Sequence, residues 1–489
     1  GISDGKTGVK ITDITTNIET VAQIIVGERN SNIYKISAGV NHTIALKNDG
    51  TVWSWGDNTY GQLGDGGVLT SETENPIQVS GVNGSKYLSD VVDIASGTYF
   101  SIALLKNGNV VAWGLNNDGQ LGNIGEISRK PVFVMDYNGN KLSGIVGISA
   151  SRNHAIAVRA DGTVFTWGSN DYGQLGNNTK TSSAYAIQVL DSTGNDYLKD
   201  VVQVSAGAAY VSVVKNDGTV WSWGAGASAQ MGDGARTQRS LPVQAKNVTD
   251  VKKVATGCYI TLVLKNDGTV WAWGLNRYGQ LGIGVSSTSS SNANYVRTTA
   301  VQVKLNSTDY LTDVVDIGTA YESSFAVTSD GTAYAWGLNN YSQLGIITSS
   351  NVNLPTKCLR RYYNELEPKI IGLFSNSEPA YTNYMIREDG SILSCGKSNN
   401  GQLLDGGKYE TRSYIEDVRT SYLEVTDKIS TIKLGSSKKL SVRTVENFNL
   451  FAKAPEYGNL TWKSTNENIA TVDKAGNVIA KKIGTTTII

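Results

Sequence analysis

The chain has 489 residues, is rich in Gly (53) and Tyr (24) and poor in Pro (7), and so suits many short strands joined by tight turns. Lys plus Arg and Asp plus Glu are both 43, giving zero formal charge without a local basic run; this disfavours a nucleic-acid partner, which needs a basic surplus. Cys258, Cys358 and Cys395 lack metal-ligand or CxxC spacing and only two histidines occur, leaving little for a disulfide framework, a metal site or His-based catalysis. No run of about 18 apolar residues is present to span a membrane. The chain opens at Gly1 without a signal peptide and stops mid-pattern at Ile489, so both ends read as cut edges of a longer mature protein.

Residues 1–20 read as an extension. After them a unit begins that recurs along the chain. Its first copy runs Ile33-Tyr-Lys-Ile-Ser-Ala-Gly, His42-Thr-Ile-Ala-Leu46, Asp49-Gly50, Thr51-Val-Trp-Ser-Trp55-Gly56, Asn58-Thr-Tyr-Gly-Gln-Leu-Gly64 and Pro76-Ile-Gln-Val79. The residue before the strand-ending glycine recurs as Trp55, Trp113, Trp167, Trp223, Trp273, Trp336 and Cys395, at separations of 58, 54, 56, 50, 63 and 59. Seven copies result. Asp49-Gly50 and its counterparts are expected to close a two-residue hairpin turn, because glycine supplies positive φ. Four strands are expected per copy: in the first, Ile33–Ile36, Thr43–Leu46, Thr51–Trp55 and Ile77–Val79.

In the third strand Trp53 and Trp55 share one face, while Val52 and a small residue, Ser54, take the other. The small position recurs as Ala112, Thr166, Ser222, Ala272, Ala335 and Ser394. A strand apolar on both faces belongs between two other sheets, and a ring of such sheets keeps every Trp dry. The fold class that follows is all-β: a seven-bladed β-propeller over 21–420, with a C-terminal Ig-like β-sandwich over 427–489. Val21–Ile25 and Tyr414–Val418 both resemble the Pro76–Val79 strand, and the N-terminal one is expected to complete a terminal blade.

Those repeat segments resemble the repeat of the regulator of chromosome condensation, a seven-bladed propeller, over roughly residues 21–418. The resemblance implies a fold more than an activity: relatives include a nuclear exchange factor for a small GTPase, secreted bacterial inhibitors of β-lactamase and large bacterial surface proteins. Copy four departs with Ala225-Gly-Ala-Ser-Ala-Gln-Met231, and copy seven with Cys395 and Leu404, which puts the packing of those blades in question. In the tail, Leu460–Ser464, Ile469–Asp473, Gly476–Val478 and Gly484–Ile488 look like a group 2 bacterial Ig-like domain with a clipped last strand. That resemblance implies a hairpin turn at Asp473–Gly476, Trp462 as core plug, and a place on or outside a bacterial cell.

Residues repeated in every copy are expected to be structural. Gln62, Gln120, Gln174, Gln230, Gln280, Gln343 and Gln402 are assigned to backbone hydrogen bonding. His42 and His154 share a slot filled elsewhere by Phe100, Tyr210, Ile260, Ser323 and Thr382, which argues for packing with one satisfied nitrogen. Function is sought where the copies differ. The loop between the first two strands varies most and should emerge seven times on one face, where Tyr99, Arg152, Tyr259, Tyr321, Glu322 and Tyr381 would give aromatic anchors and some charge. The insertion Val285–Arg297 reads as a flexible surface loop, Cys358–Glu367 as a short helix over the disc edge, and Cys358 with Cys395 as a weak disulfide candidate.

No GxSxG elbow, P-loop, HExxH or EF-hand loop is present. The reading is a non-enzymatic, secreted or cell-surface bacterial scaffold or adhesin, monomeric, with a protein or surface-glycan partner and no cofactor or metal. A secreted inhibitor of an extracellular enzyme is the alternative, ahead of a glycan-active enzyme with a channel acid pair or a GTPase exchange factor.

Overall fold

A computed structural model describes residues 33–67, 71–346, 348–358, 369–374, 381–388, 392–403 and 412–417 of the repeat region. Outside it the described residues are 6–13, 18–25, 422–425, 437–439, 442–445, 467–468, 470–472, 477–481 and 487–488. No helix occurs among them. The repeats fold into seven four-stranded antiparallel sheets, each built from one continuous stretch of chain. The blades span 33–78, 91–133, 145–188, 201–244, 251–302, 314–357 and 370–417. In blade 1 the strands are Ile33–Ala38, His42–Lys47, Val52–Gly56 and Thr73–Gln78.

Closure is seen at the hub, where first strands from all seven blades line one cavity of ≈ 180 Å³. Between blades the recurring Trp is fully buried, as its two-faced strand requires. Its indole N–H donates to the backbone carbonyl of the recurring Gln in the preceding blade: Trp113 to Gln62, Trp167 to Gln120, Trp223 to Gln174 and Trp273 to Gln230, all at 2.9 Å. Trp336 to Gln280 at 3.0 Å continues the series, and Trp55 to Gln402 at 2.8 Å joins blade 1 to blade 7. In the remaining joint the Cys395 thiol takes the indole's place, 3.3 Å from the Gln343 carbonyl. Each buried Trp removes about 150–250 Å² from water, an upper bound of roughly 4–6 kcal/mol per joint. Its N–H would cost about 1–3 kcal/mol if left unpaired.

The indole leaves no room for a side chain at Gly64, Gly176, Gly232 and Gly282: a Cβ on Gly64, at φ +65°, would lie 2.8 Å from Trp113. The small residue on the opposite face of the third strand does clear space, since Ala112 packs in one cluster with Trp167, and Ala272 with Trp336. Across most joints the Trp also meets an aliphatic residue of the previous blade's second strand: Ile44 with Trp113, Ile102 with Trp167, Ile156 with Trp223, Leu262 with Trp336. Opposite Cys395 that residue is Phe325, fully buried, so the volume lost on one side returns on the other. Copy four is likewise accommodated. Gln230 keeps its acceptor role, and Ala229 adopts the positive φ (62°) that glycine holds in five of the other copies.

Three expectations change. The Asp-Gly hairpin loop has three residues, because Lys47 N–H donates to Thr51 (2.9 Å) and Gly50 N–H to Lys47 (3.0 Å); only Gly50 needs positive φ, at 79°, and Asp49 is free to accept from the Thr51 backbone. Val21–Ile25 completes no blade: each repeat already supplies a fourth strand, so no edge is vacant. It lies in a strand, Ile18–Ile25, paired with Lys6–Asp13 and in parallel with Thr487–Ile488. The Arg412–Asp417 strand completes blade 7 itself. Finally, Cys358 and Cys395 are free thiols rather than a disulfide, each directed at a carbonyl, Leu344 (3.4 Å) and Gln343 (3.3 Å).

The helix expected after Cys358, the Asp389-Gly390 turn, Leu404 and Trp462 lie outside the described residues. In the tail, Ala470–Val472 pairs antiparallel with Asn477–Ala480, as the expected hairpin demands, and Ser437–Lys439 pairs on the other side.

The Cys395–Phe325 exchange gives a test by double-mutant cycle. Cys395→Trp overpacks the joint and Phe325→Ile leaves a void, each lowering stability by about 1–3 kcal/mol. The double variant should recover most of the loss in guanidinium unfolding. Strictly additive losses would show that the two residues do not share the joint.

Candidate functional site

The loops between first and second strands and those after the third strand lie on one face of the disc, and a sevenfold backbone hydrogen bond ties them. In it the residue after the third strand's glycine donates to the first loop: Leu115 to Tyr99, Leu275 to Tyr259 and Lys397 to Tyr381 at 2.9 Å, Leu338 to Glu322 at 3.0 Å. Neighbouring blades are joined there as well. Thr98 N–H donates to Arg152 (3.0 Å) and Cys258 N–H to Tyr321 (2.8 Å). Arg152 and Tyr321 hold left-handed φ of 43° and 54°. The common face expected from the sequence exists.

Its six expected residues are not equally placed. Tyr259, Tyr321 and Tyr381, on blades 5, 6 and 7, are half-buried and close together. Tyr321 and Tyr381 meet edge-on with centroids 5.3 Å apart, and Tyr341 packs on Tyr381 at 4.3 Å. Burial raises the hydroxyl pKa of Tyr321 and Tyr381, while the Cys258 thiol beside it and burial push Tyr259 up to about 12. These hydroxyls therefore remain donors. Arg152 is exposed on blade 3 and its charge reaches Tyr259. Tyr99 stands apart, against Tyr60 at 5.0 Å.

Glu322 corrects the sequence reading. It was expected as exposed charge, yet it is fully buried, one oxygen accepting from Arg277 Nη2 at 2.8 Å and the other unpaired. Burial raises its pKa, with Arg277 opposing. The loop turns left-handed at Tyr321, so the ring stays at the surface and the next side chain goes inward. Arg277, one-third exposed (32%), presents its charge at the face. It lies over Tyr278, 4.7 Å from the ring centroid.

Tyr278, Tyr341 and Tyr60 were missed because they sit inside the repeat signature, directly before its glycine or, in copy six, Ser342. Aligning that column shows a variable position: Tyr60, Asp118, Tyr172, Ser228, Tyr278, Tyr341, Asn400. Two places later the Gln is structural as expected. Its side-chain oxygen accepts the backbone N–H of that same column in all seven blades. Its amide nitrogen donates to Asp57 (3.1 Å) and Ser169 (3.4 Å) in blades 1 and 3. It is unpaired in blades 2, 5, 6 and 7, where Leu115, Leu275, Leu338 and Lys397 occupy that place.

At the hub, the third residue of each first strand is Lys35, Asp93, Gly147, Gln203, Lys253, Asp316 or Gly372. Asp93 pairs with Lys35 of the preceding blade at 2.5 Å, and Asp316 pairs with Lys253. Asp316 also accepts Leu373 N–H at 2.8 Å. These acids bind blade to blade. Among the described residues no group of three or more His, Cys, Asp or Glu could hold a metal ion.

His42 and His154 are both fully buried in their slot. His42 Nε2 lies 2.9 Å from Ser101 Oγ. At His154 neither ring nitrogen reaches full hydrogen-bond geometry, and only the Tyr210 backbone favours its charged form. Burial is the main cause that lowers both pKa values to about 4. Unfolded histidines take up protons below about pH 6.5, and these two resist until about pH 4. Stability is therefore full above pH 6.5 and falls between 6.5 and 4, on the order of 3 kcal/mol per histidine. The hairpin carboxylates Asp161 and Asp217, lowered by hydrogen bonds from Thr163 and Thr219, act only at still lower pH. Replacing both histidines by Phe, as Phe100 fills the same slot, should flatten the denaturation midpoint between pH 7 and 4.5; an unchanged slope would refute the assignment.

This geometry defines a class: a closed seven-bladed repeat propeller that presents variable, tyrosine-rich loops on one face. The model of the RCC1-like domain matches residues 124–453, and regulator of chromosome condensation (RCC1) repeat models match 33–62, 91–120 and 49–104. The chain belongs to the RCC1-like domain family. A bacterial Ig-like domain (group 2) model matches residues 421–489. Similar curated proteins include the human E3 ubiquitin-protein ligase HERC2, 32% identical over 245 residues, covering 48% of this chain and 5% of that protein. The human probable E3 ubiquitin-protein ligase HERC6 is 34% identical over 223 residues, covering 45% and 20%. The chain thus spans a fifth or less of the length of these relatives. Prp20p from Saccharomyces cerevisiae has the same fold, with TM-score 0.61, 20% identity, and coverage of 81% of this chain and 90% of that one. Human WBSCR16 superposes with TM-score 0.58 and 19% identity over 73% and 87%.

Proposed function

We propose that this protein is a non-enzymatic binding scaffold, docking a protein partner on the propeller face that carries Tyr259, Tyr321 and Tyr381. The observation that supports it most is the packed tyrosine group itself, set on variable loops over an invariant frame. Tyrosine brings large contact area at low entropic cost, together with a hydroxyl, and is enriched where interfaces concentrate their energy. The solved relative Prp20p is described by its binding to Gsp1p and histones, so propellers of this fold do serve protein partners. Against a carboxylate-pair hydrolase stand the channel acids Asp93 and Asp316, each paired with lysine.

The likeness of the tail to a bacterial Ig-like domain supports a place outside a bacterial cell, as surface scaffold or adhesin. Fractionation of the producing cells with an antibody to the propeller should find the protein at the surface or in the medium; an exclusively cytosolic pool would overturn that location. The face is tested by affinity measurement on a purified, identified partner. Tyr259→Ala/Tyr321→Ala/Tyr381→Ala should weaken binding at least about tenfold, as loss of interface anchors does. Tyr34→Ser/Val146→Ser, on exposed positions at the opposite ends of the first strands, should leave it unchanged. Equal affinity of the tyrosine variant and wild type discards the face.

A further inference from the structure

The chain is neutral, but the loop face is not uniform. On blades 1–3 its loops carry Asp57, Asp65, Glu72, Asp118, Glu126 and Asp171 beside Arg152 and Lys180. Among the described residues of blades 5–7 the same loops carry Arg277 and Lys397, and their one acid is Glu322. Glu322 is fully buried and faces no solvent. Among the described residues, the solvent-facing charges of that half are therefore cations, and it is the half that holds Tyr259, Tyr278, Tyr321, Tyr341 and Tyr381.

The cations are built into the aromatic group. Lys397 Nζ stands 5.6 Å from the Tyr341 ring centroid and makes no ion pair among the described residues. Arg277 lies over Tyr278 and is held from beneath by Glu322, the buried carboxylate positioning the guanidinium at the surface. Tyrosine hydroxyls that keep their protons add neutral donors between the cations. Ammonium, guanidinium and phenol O–H all donate, and all favour a carboxylate as acceptor. An apolar partner would leave these charges desolvated without return.

We propose that blades 5–7 of the loop face bind an acidic peptide segment of the partner protein, its carboxylates taken by Lys397, Arg277 and the tyrosine hydroxyls. This rests on the reading of the face as the docking surface and names the chemistry it selects.

The test uses the full chain and fluorescence anisotropy with three labelled twelve-residue probes: one rich in Asp and Glu with two Phe, its Asn/Gln counterpart, and a Lys-rich counterpart. The acidic probe should bind at least about tenfold tighter than either other. Raising NaCl from about 50 to 300 mM, which shortens screening lengths below 10 Å, should weaken it severalfold. Lys397→Glu should lose at least tenfold, Tyr341→Leu should lose severalfold, and Lys180→Glu on blade 3 should bind as wild type. Each variant's melting curve is recorded, so that a folding defect is separated from a binding one. Equal binding of the acidic and amide probes, or full affinity in Lys397→Glu, overturns the proposal. If the acidic probe fails while an identified partner still depends on Tyr259, Tyr321 and Tyr381, the chemistry is wrong and the face stands. If that tyrosine dependence is also absent, the face itself falls.

Discussion

The structure depends on one interaction made seven times: an indole N–H, or once a thiol, reaching from each blade to the main-chain carbonyl of the recurring Gln in the blade before it. The same ring supplies the apolar area that seals the joint, so dispersion, burial and a directional bond act at a single residue. The Gln side chain meanwhile binds its own loop, which fixes where the carbonyl points. Each repeat is thereby a donor to one neighbour and an acceptor for the other. Such a chain of head-to-tail links has no natural end except closure, and Trp55 on Gln402 provides it.

The frame leaves its loops free to vary. Within each blade a backbone hydrogen bond ties the loops after the first and third strands, so side chains there can vary while that tie is kept. This is why tyrosines, an exposed Arg152 and an Arg277 seated on the buried Glu322 can be gathered on one side of the disc while the other blades present different chemistry. At the hub the reverse holds: Lys35 with Asp93 and Lys253 with Asp316 join strands across blades, and charge is used for cohesion.

Much of this was legible in the sequence because it is written in side chains with period two. Trp53 and Trp55, Val52 and Ser54 declare a strand that is dry on both faces, and seven Asp-Gly or Asn-Gly pairs mark the hairpins. What was not legible is carried by the backbone. No pattern announces that a Gln matters to the next blade through its carbonyl, or that a left-handed Tyr321 turns Glu322 inward. Strand closure failed for a related reason: Val21–Ile25 has the composition of an outer strand, but composition cannot say whether an edge is vacant. Tyr278 and Tyr341 were hidden inside a signature that was read for its invariant letters.

The unlike joint, Cys395 against Phe325, lies between blades 6 and 7. Tyr321, Tyr341 and Tyr381 sit astride the same seam on the surface. A ligand seated on them would therefore act as a rivet across the one place where the wheel lacks its usual pin, so that occupancy and resistance to prising open become a single mechanical property of the molecule.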